Sequence, residues 1–168
     1  AHAHQVLRPS AIASHQTAAL AWGLDLGDVA AAAAGPVCFI APAGSGVRSI
    51  RRTDFSICAR DLPAEHRVAH PSGLLVTSVS RAAVDVASTA PLPDALVVLD
   101  AAARQFLIDR VGQRRVRAHH THPASLRDAC RPLIEAIPSA ATRRTRGRLD
   151  LVVAMADPRR ESALESLS

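Results

Sequence analysis

The stretch GLLVTSVSRAAVDVA, residues 73–87, contains the change of period that decides the fold. Its first part, up to Ser78, is a short apolar run with β-branched residues, the composition of a buried strand. It closes at the hydroxyl residues Thr77 and Ser78, and a serine there can accept a hydrogen bond from the first backbone N–H groups of a helix. From 78 to 89 the spacing becomes helical: Val79, Ala82, Ala83 and Val86 fall at i, i+3, i+4 and i+7 on one face. Arg81 and Asp85, four apart, are placed to form an ion pair along the flank of that helix. Ser78, Ser80 and Asp85 also raise the question of a nucleophile. No Gly-x-Ser-x-Gly elbow surrounds either serine, and no histidine is spaced to serve them locally. The expected roles are therefore architectural, a cap and an ion pair.

On the N-terminal side, SHQTAALAWGL (14–24) reads as a short helix with Ser14 as cap, Ala18, Ala19 and Trp22 as its apolar side, and Gly23 as its end. DVAAAAAGP extends helically to the Gly35-Pro36 break. VCFIAP (37–42) is a buried strand, and TDFSICA a half-buried one with Phe55 and Ile57 on one face. A short strand around His66 to Ala69 sits in an otherwise turn-rich segment. On the C-terminal side come helices over 92–107, over 123–137 with a bend at Pro132, and over 141–157. The stripe of the first of these is Leu92, Ala95, Leu96, Leu99, Ala103 and Phe106, and Asp100 and Arg104 are spaced to pair on it. The expected fold class is α+β: a small β-sheet in the N-terminal half packed by helices, and a helical C-terminal half.

Composition narrows the function. The chain is 48% hydrophobic, enough for an ordinary core, and its longest apolar runs are far too short to span a bilayer. Residues 1–9 lack the apolar stretch of a signal peptide. Cys38, Cys58 and Cys130 share no short spacing, which suits reduced, buried thiols in a cytoplasmic protein better than disulfides or zinc. Every basic residue is arginine, and their distribution is uneven. Residues 1–103 carry a net −1, residues 104–148 carry +8, and residues 149–168 carry −2. Charge concentrated this way points to a polyanionic partner, nucleic acid above all, or else to a solvated arginine-rich helix face. The candidate nucleic-acid contacts are Arg143, Arg144, Arg146 and Arg148 in TRRTRGR, supported by Arg114, Arg115 and Arg117. They would neutralise phosphates without reading bases. His119, His120 and His122 in AHHTH have no carboxylate or thiolate near them in sequence, so they are read as a loop and not as a metal site. No catalytic residue, metal site or cofactor is expected of this chain.

Four segments in order resemble the actinobacterial-type AbiEi family of antitoxin-like proteins from type IV toxin–antitoxin systems. SHQTAALAWGL resembles that family's serine-histidine-x-threonine-alanine-alanine segment, and GLLVTSVSRAAVDVA its following strand and helix, with Ala82 where threonine is usual. ALVVLDAAAR resembles the next helix. DPRRESALES (157–166) resembles the joint at which many such proteins pass into a Vsr-like endonuclease domain. The resemblance implies an antitoxin-like α+β domain over 1–157, lacking the family's N-terminal winged helix, and the start of a truncated nuclease domain over 158–168. Glu165 matches the glutamate on the first nuclease helix. The implied function is a non-catalytic regulatory domain, transcriptional or antitoxin in kind, whose partners are nucleic acid or a cognate toxin protein and not a membrane. The alternative is a fragment of a Vsr-like DNA endonuclease whose catalytic core is missing.

Overall fold

A computed structural model describes residues 1–115, 122–142 and 145. The segment expected as a helix over 141–157, and the stretch 158–168, fall almost wholly outside the described residues. The remaining elements are helices α1 (His2–Leu7), α2 (His15–Ala21), α3 (Val29–Ala34), α4 (Val79–Ala87), α5 (Leu92–Val111) and α6 (Pro123–Ala140), and strands β1 (Ile12–Ala13), β2 (Val37–Ala41), β3 (Ile50–Arg51), β4 (Phe55–Ala59), β5 (Arg67–Ala69) and β6 (Leu75–Thr77). The class is α+β as expected: a six-stranded mixed sheet from the N-terminal half, and helices thereafter. Among the described residues no helix is long and apolar enough to cross a membrane.

The sheet order is β3-β4-β2-β1-β6-β5. Its pivot is the two-residue strand β1, which pairs antiparallel with β2 (Ala13 opposite Phe39) and parallel with β6 (Ala13 opposite Val76). Parallel strands run in the same direction, and each of these two passes into a helix after a single residue. Helices α2 and α4 therefore leave the same end of the sheet side by side, and they pack on each other. Alternation along the strands divides the apolar side chains. Phe39, Ile57, Val76 and Ala13 pack with Ala18 of α2 and Ala82 of α4, while Ile12 and Ile40 bury against Leu62.

The helical half closes around α4. Ala83, Val84 and Ala87 of α4, Val98, Leu99 and Ala102 of α5, and Leu133, Ala136 and Ala140 of α6 form one core with Ala19 and Leu24. Alanine at so many of these positions lets helix axes approach closely, so small side chains carry much of the packing. Helix α5 runs four residues past its expected end, to Val111 before Gly112. Of its expected stripe Ala95, Leu99 and Ala103 are buried; Val98, Ala102 and Leu107 widen the buried face, and Leu92 is 38% exposed. Helix α6 continues through Pro132 and Pro138 to Ala140. Gly23, at φ +70°, ends α2 with Leu24 N–H donating to Ala19 O at 2.9 Å and its own N–H to Leu20 O at 3.1 Å. This paired arrangement is one that glycine allows without strain.

Several elements differ from expectation. Ser14 does not cap α2: its hydroxyl shares a 3.0 Å hydrogen bond with His15 Nδ1, and His15 takes a left-handed φ of +49°. Cys38 is buried, but Cys58 is exposed and Cys130 partly so, and none of the three is in a disulfide among the described residues. Asp100 and Arg104 are absent from the ion pairs among the described residues; both line an open groove of about 560 Å³ beside Trp22 and Leu24. Strands β1 and β3 and helix α1 are not among the expected elements. Helix α1 has no side-chain cap and no buried residue, so packing of an apolar face does not explain it. Gln5 anchors it instead. Its Nε2 donates to Ala11 O at 3.1 Å and to Leu75 O, and its Oε1 accepts from Leu75 N at 3.0 Å, tying the entries of β1 and β6 together. Gln5→Ala should lower unfolding free energy by about 1–3 kcal/mol, because these backbone groups are left without partners. Denaturant titration checks this: a change within about 0.3 kcal/mol would show that α1 is not anchored by Gln5.

Candidate functional site

The two strand-to-helix turns bring their polar residues to one place. Ser14 and His15 lie in the first turn, Ser78, Ser80 and Arg81 in the second, and Thr77 at the end of β6. Ser14, Thr77, Ser80, Arg81 and Asp85 are all buried. Ser78 caps α4 as expected, accepting from Arg81 N–H at 3.3 Å. Its hydroxyl also shares hydrogen bonds with Ser80 Oγ at 3.2 Å and with His66 Nδ1 at 2.9 Å. His66 comes from the 3-10 turn Ala64–His66, twelve residues upstream of the serine it meets. A histidine does serve Ser78, then, through a contact that spacing along α4 does not reveal. The hydroxyl is shared among a backbone donor, a second hydroxyl and an imidazole, which fits a helix-entry lock.

The expected pair of Arg81 and Asp85 forms, and more deeply than a helix flank implies: Arg81 Nε donates to Asp85 Oδ1 at 3.0 Å with side chains 0% and 1% exposed. Nη1 of the same guanidinium donates to Ser139 Oγ at 3.1 Å on the last turn of α6. Ser139 in turn donates to Ala136 O at 3.0 Å, and Arg60 Nη2 donates to Ala140 O at 2.7 Å. Two arginines thus bear on the C-terminal end of α6, where carbonyl groups lack intrahelical partners and the helix dipole favours a cation. Arg81 Nη2, Asp85 Oδ2 and Thr77 Oγ1 are buried without a hydrogen-bond partner among the described residues.

Electrostatics follows from that burial. Desolvation lowers the pKa of His15 from its ordinary value of 6.5, with Arg60 and Arg81 adding to the effect and the Asp85 carboxylate opposing it. His66 is lowered by desolvation first and then by Arg81, against the pull of Glu65 and Asp85. Burial raises the Cys38 thiol, against the hydrogen bond from Ser56 and the charge of Arg51, so that side chain stays a neutral core group.

The sequence-derived arginines lie elsewhere. Arg114 and Arg115 are exposed in the turn after α5. Arg117, Arg143, Arg144, Arg146 and Arg148 lie outside the described residues, as do His119 and His120. His122 is the exposed residue that precedes α6. Among the described residues no group of three or more histidine, cysteine or acidic side chains is placed to hold a metal ion.

Removing one partner of a buried ion pair strands the other charge, so Asp85→Ala should destabilise the chain by about 3–5 kcal/mol, against about 0–1 kcal/mol for an exposed pair. A melting temperature within error of wild type would show that the pair does not hold the fold. The buried imidazole makes stability depend on pH. A histidine whose folded pKa is depressed stabilises the fold fully above its unfolded value, and that stability is lost as pH falls through the folded pKa. Stability should therefore decline on acidification below about pH 6.5, and His15→Gln should flatten that decline. Unfolding midpoints at several pH values between neutrality and about pH 5 would test it, and parallel curves for wild type and variant would refute the role of His15.

No protein-family model, curated protein or solved structure matches the chain.

Proposed function

We propose that this chain is the α+β domain of an AbiEi antitoxin-like, DNA-associated regulatory protein of the bacterial cytoplasm, without catalysis of its own. In this reading it meets a nucleic-acid backbone through Arg114, Arg115, Arg117, Arg143, Arg144, Arg146 and Arg148. A cognate toxin protein is the second class of partner. The observation that carries the reading is how acids are used around the basic segment. Residues 104–148 contain three acids against eleven arginines. One of these acids, Asp128, already serves two arginines: Arg110 Nη1 at 2.7 Å and Arg131 Nη2. Arg114 and Arg115 remain exposed, with no ion pair to a carboxylate among the described residues. Unpaired guanidinium groups near one another repel unless an anion lies across them, and phosphates satisfy them in a bidentate manner.

The buried cluster supports a non-catalytic role in a different way. Ser78 accepts from Arg81 N–H and meets His66, Arg81 pairs with Asp85, and Arg81 donates to Ser139 of α6, so these contacts join elements of the fold. The competing reading, a fragment of a Vsr-like endonuclease, rests on the match of Glu165 to a nuclease helix.

Contacts of the proposed kind give weak, sequence-tolerant binding that salt suppresses. With about four phosphates neutralised on duplex DNA, the log–log slope of affinity against salt should be near −3.6, at about −0.9 per phosphate. Changing Arg143, Arg144, Arg146 and Arg148 together to glutamine should remove most of it in an anisotropy titration with a mixed-sequence duplex. Equal binding by both proteins would reduce the segment to a solvated face. Magnesium-dependent cleavage by the purified chain, abolished by Glu165→Ala, would establish the nuclease reading instead.

A further inference from the structure

Residues 1–103 carry a net −1 in sequence, yet three of their seven arginines fall together at positions 48, 51 and 52. Strand β3 is the outer strand of the sheet, so one side of it has no strand partner. It is tied inward to β4, with Ile50 opposite Ile57 and Arg51 opposite Ser56. The turn closes with Arg52 N–H donating to Phe55 O at 2.8 Å. This edge presents Arg48, Arg51 and Arg52, all exposed. Beside it, the Arg8 guanidinium lies over the Phe55 ring at 5.5 Å from the centroid, extending the positive surface to the start of β4. Asp54, at the turn, is the nearest carboxylate in sequence. Among the described residues none of these four arginines forms an ion pair, with Asp54 or with any other acid.

We propose that the Arg48–Arg51–Arg52 edge of β3, with Arg8, is a second binding surface, for the phosphate backbone of duplex nucleic acid. Three cations at one sheet edge and a fourth beside it, none with a carboxylate partner among the described residues, complement the phosphates of a duplex, and arginine's planar fork suits each phosphate oxygen pair. The ring chemistry selects duplex over single strand. Binding of single strands relies on open aromatic faces for base stacking. Phe55 offers none, because Arg8 covers it and His4 packs against it with ring centroids 4.9 Å apart. The surface uses residues separate from the arginines of the basic segment, so it stands whether or not that segment binds.

Charged residues on an edge strand also guard against strand-to-strand association, and the experiment separates that role from binding. The full chain, an Arg48→Gln/Arg51→Gln/Arg52→Gln variant and the corresponding triple Arg→Lys variant are titrated with a mixed-sequence duplex at two salt concentrations. Melting temperature and light scattering are recorded alongside. The glutamine variant should keep its melting temperature, bind at least about tenfold more weakly at low salt, and show a slope shallower by about 0.9 for each phosphate it no longer neutralises. The lysine variant should recover most of the affinity. Unchanged affinity and slope in the glutamine variant overturns the proposal, as does unchanged binding accompanied by new aggregation, which would make the arginines edge guards only. Tighter binding of the wild type to poly-glutamate than to duplex overturns it in favour of an acidic protein partner. Loss of binding in the β3 variant but not in the Arg143/Arg144/Arg146/Arg148 variant supports this surface while removing the basic segment.

Discussion

The buried pair of Arg81 and Asp85 is the constraint around which the other elements are arranged. A guanidinium is among the most expensive groups to take out of water, and it is tolerated only where its charge is met. Here one carboxylate from the same helix meets the charge, and one hydroxyl from α6 takes a further donor. Sliding α6 along α4 would leave the ion pair intact within α4 but would take Ser139 away from the buried guanidinium. The apolar residues around it are mostly alanines, which pack closely but discriminate poorly between registers. The hydrogen bond from Arg81 to Ser139 supplies that discrimination between α4 and α6, in the way that a single buried polar residue fixes register in helical assemblies.

Legibility in the sequence followed the range of the interaction. Elements set by local chemistry were readable: the strand over VCFIA, the serine cap of α4, the glycine end of α2. Elements set from a distance were not. The pattern of α4 marks Val79, Ala82, Ala83 and Val86, yet Val79 and Val86 are half-buried while Ser80, Arg81 and Asp85 are buried, and Arg81 reaches a partner on α6 that the helix pattern cannot show. Helix α1 shows no apolar stripe, and its place is set by a glutamine amide bridging residues far apart in sequence. Strand β3 is two residues long and ends in arginine, which leaves no alternation to detect.

The candidate sites divide the same way. The basic segment is visible in the order of charges along the chain, since that needs no folding to be seen. The β3 edge is not, because summing over residues 1–103 cancels the arginines at 48, 51 and 52 against acids elsewhere in that stretch. His66 escapes for a similar reason: its relation to Ser78 comes from the pairing of β5 with β6 and not from spacing along α4. Ser14 illustrates the converse. Its type and position suit a cap, but the neighbouring imidazole takes the hydroxyl, and the backbone at His15 adopts a conformation that non-glycine residues rarely occupy.

The position of β1 has a consequence for how the chain reaches this structure. It is the sheet's central joint, yet it has only two residues, and its parallel partner in β6 lies on the far side of nearly the whole sheet in sequence. Closing so long a loop costs entropy before any contact rewards it, and folds that depend on distant pairings form slowly. On a ribosome, β2 and β4 can associate early, but the sheet stays in two pieces until residue 77 has emerged and α4 can dock beside α2. The sheet's assembly is thus gated by its last strand, and the helix that follows that strand carries the arginine that locks it.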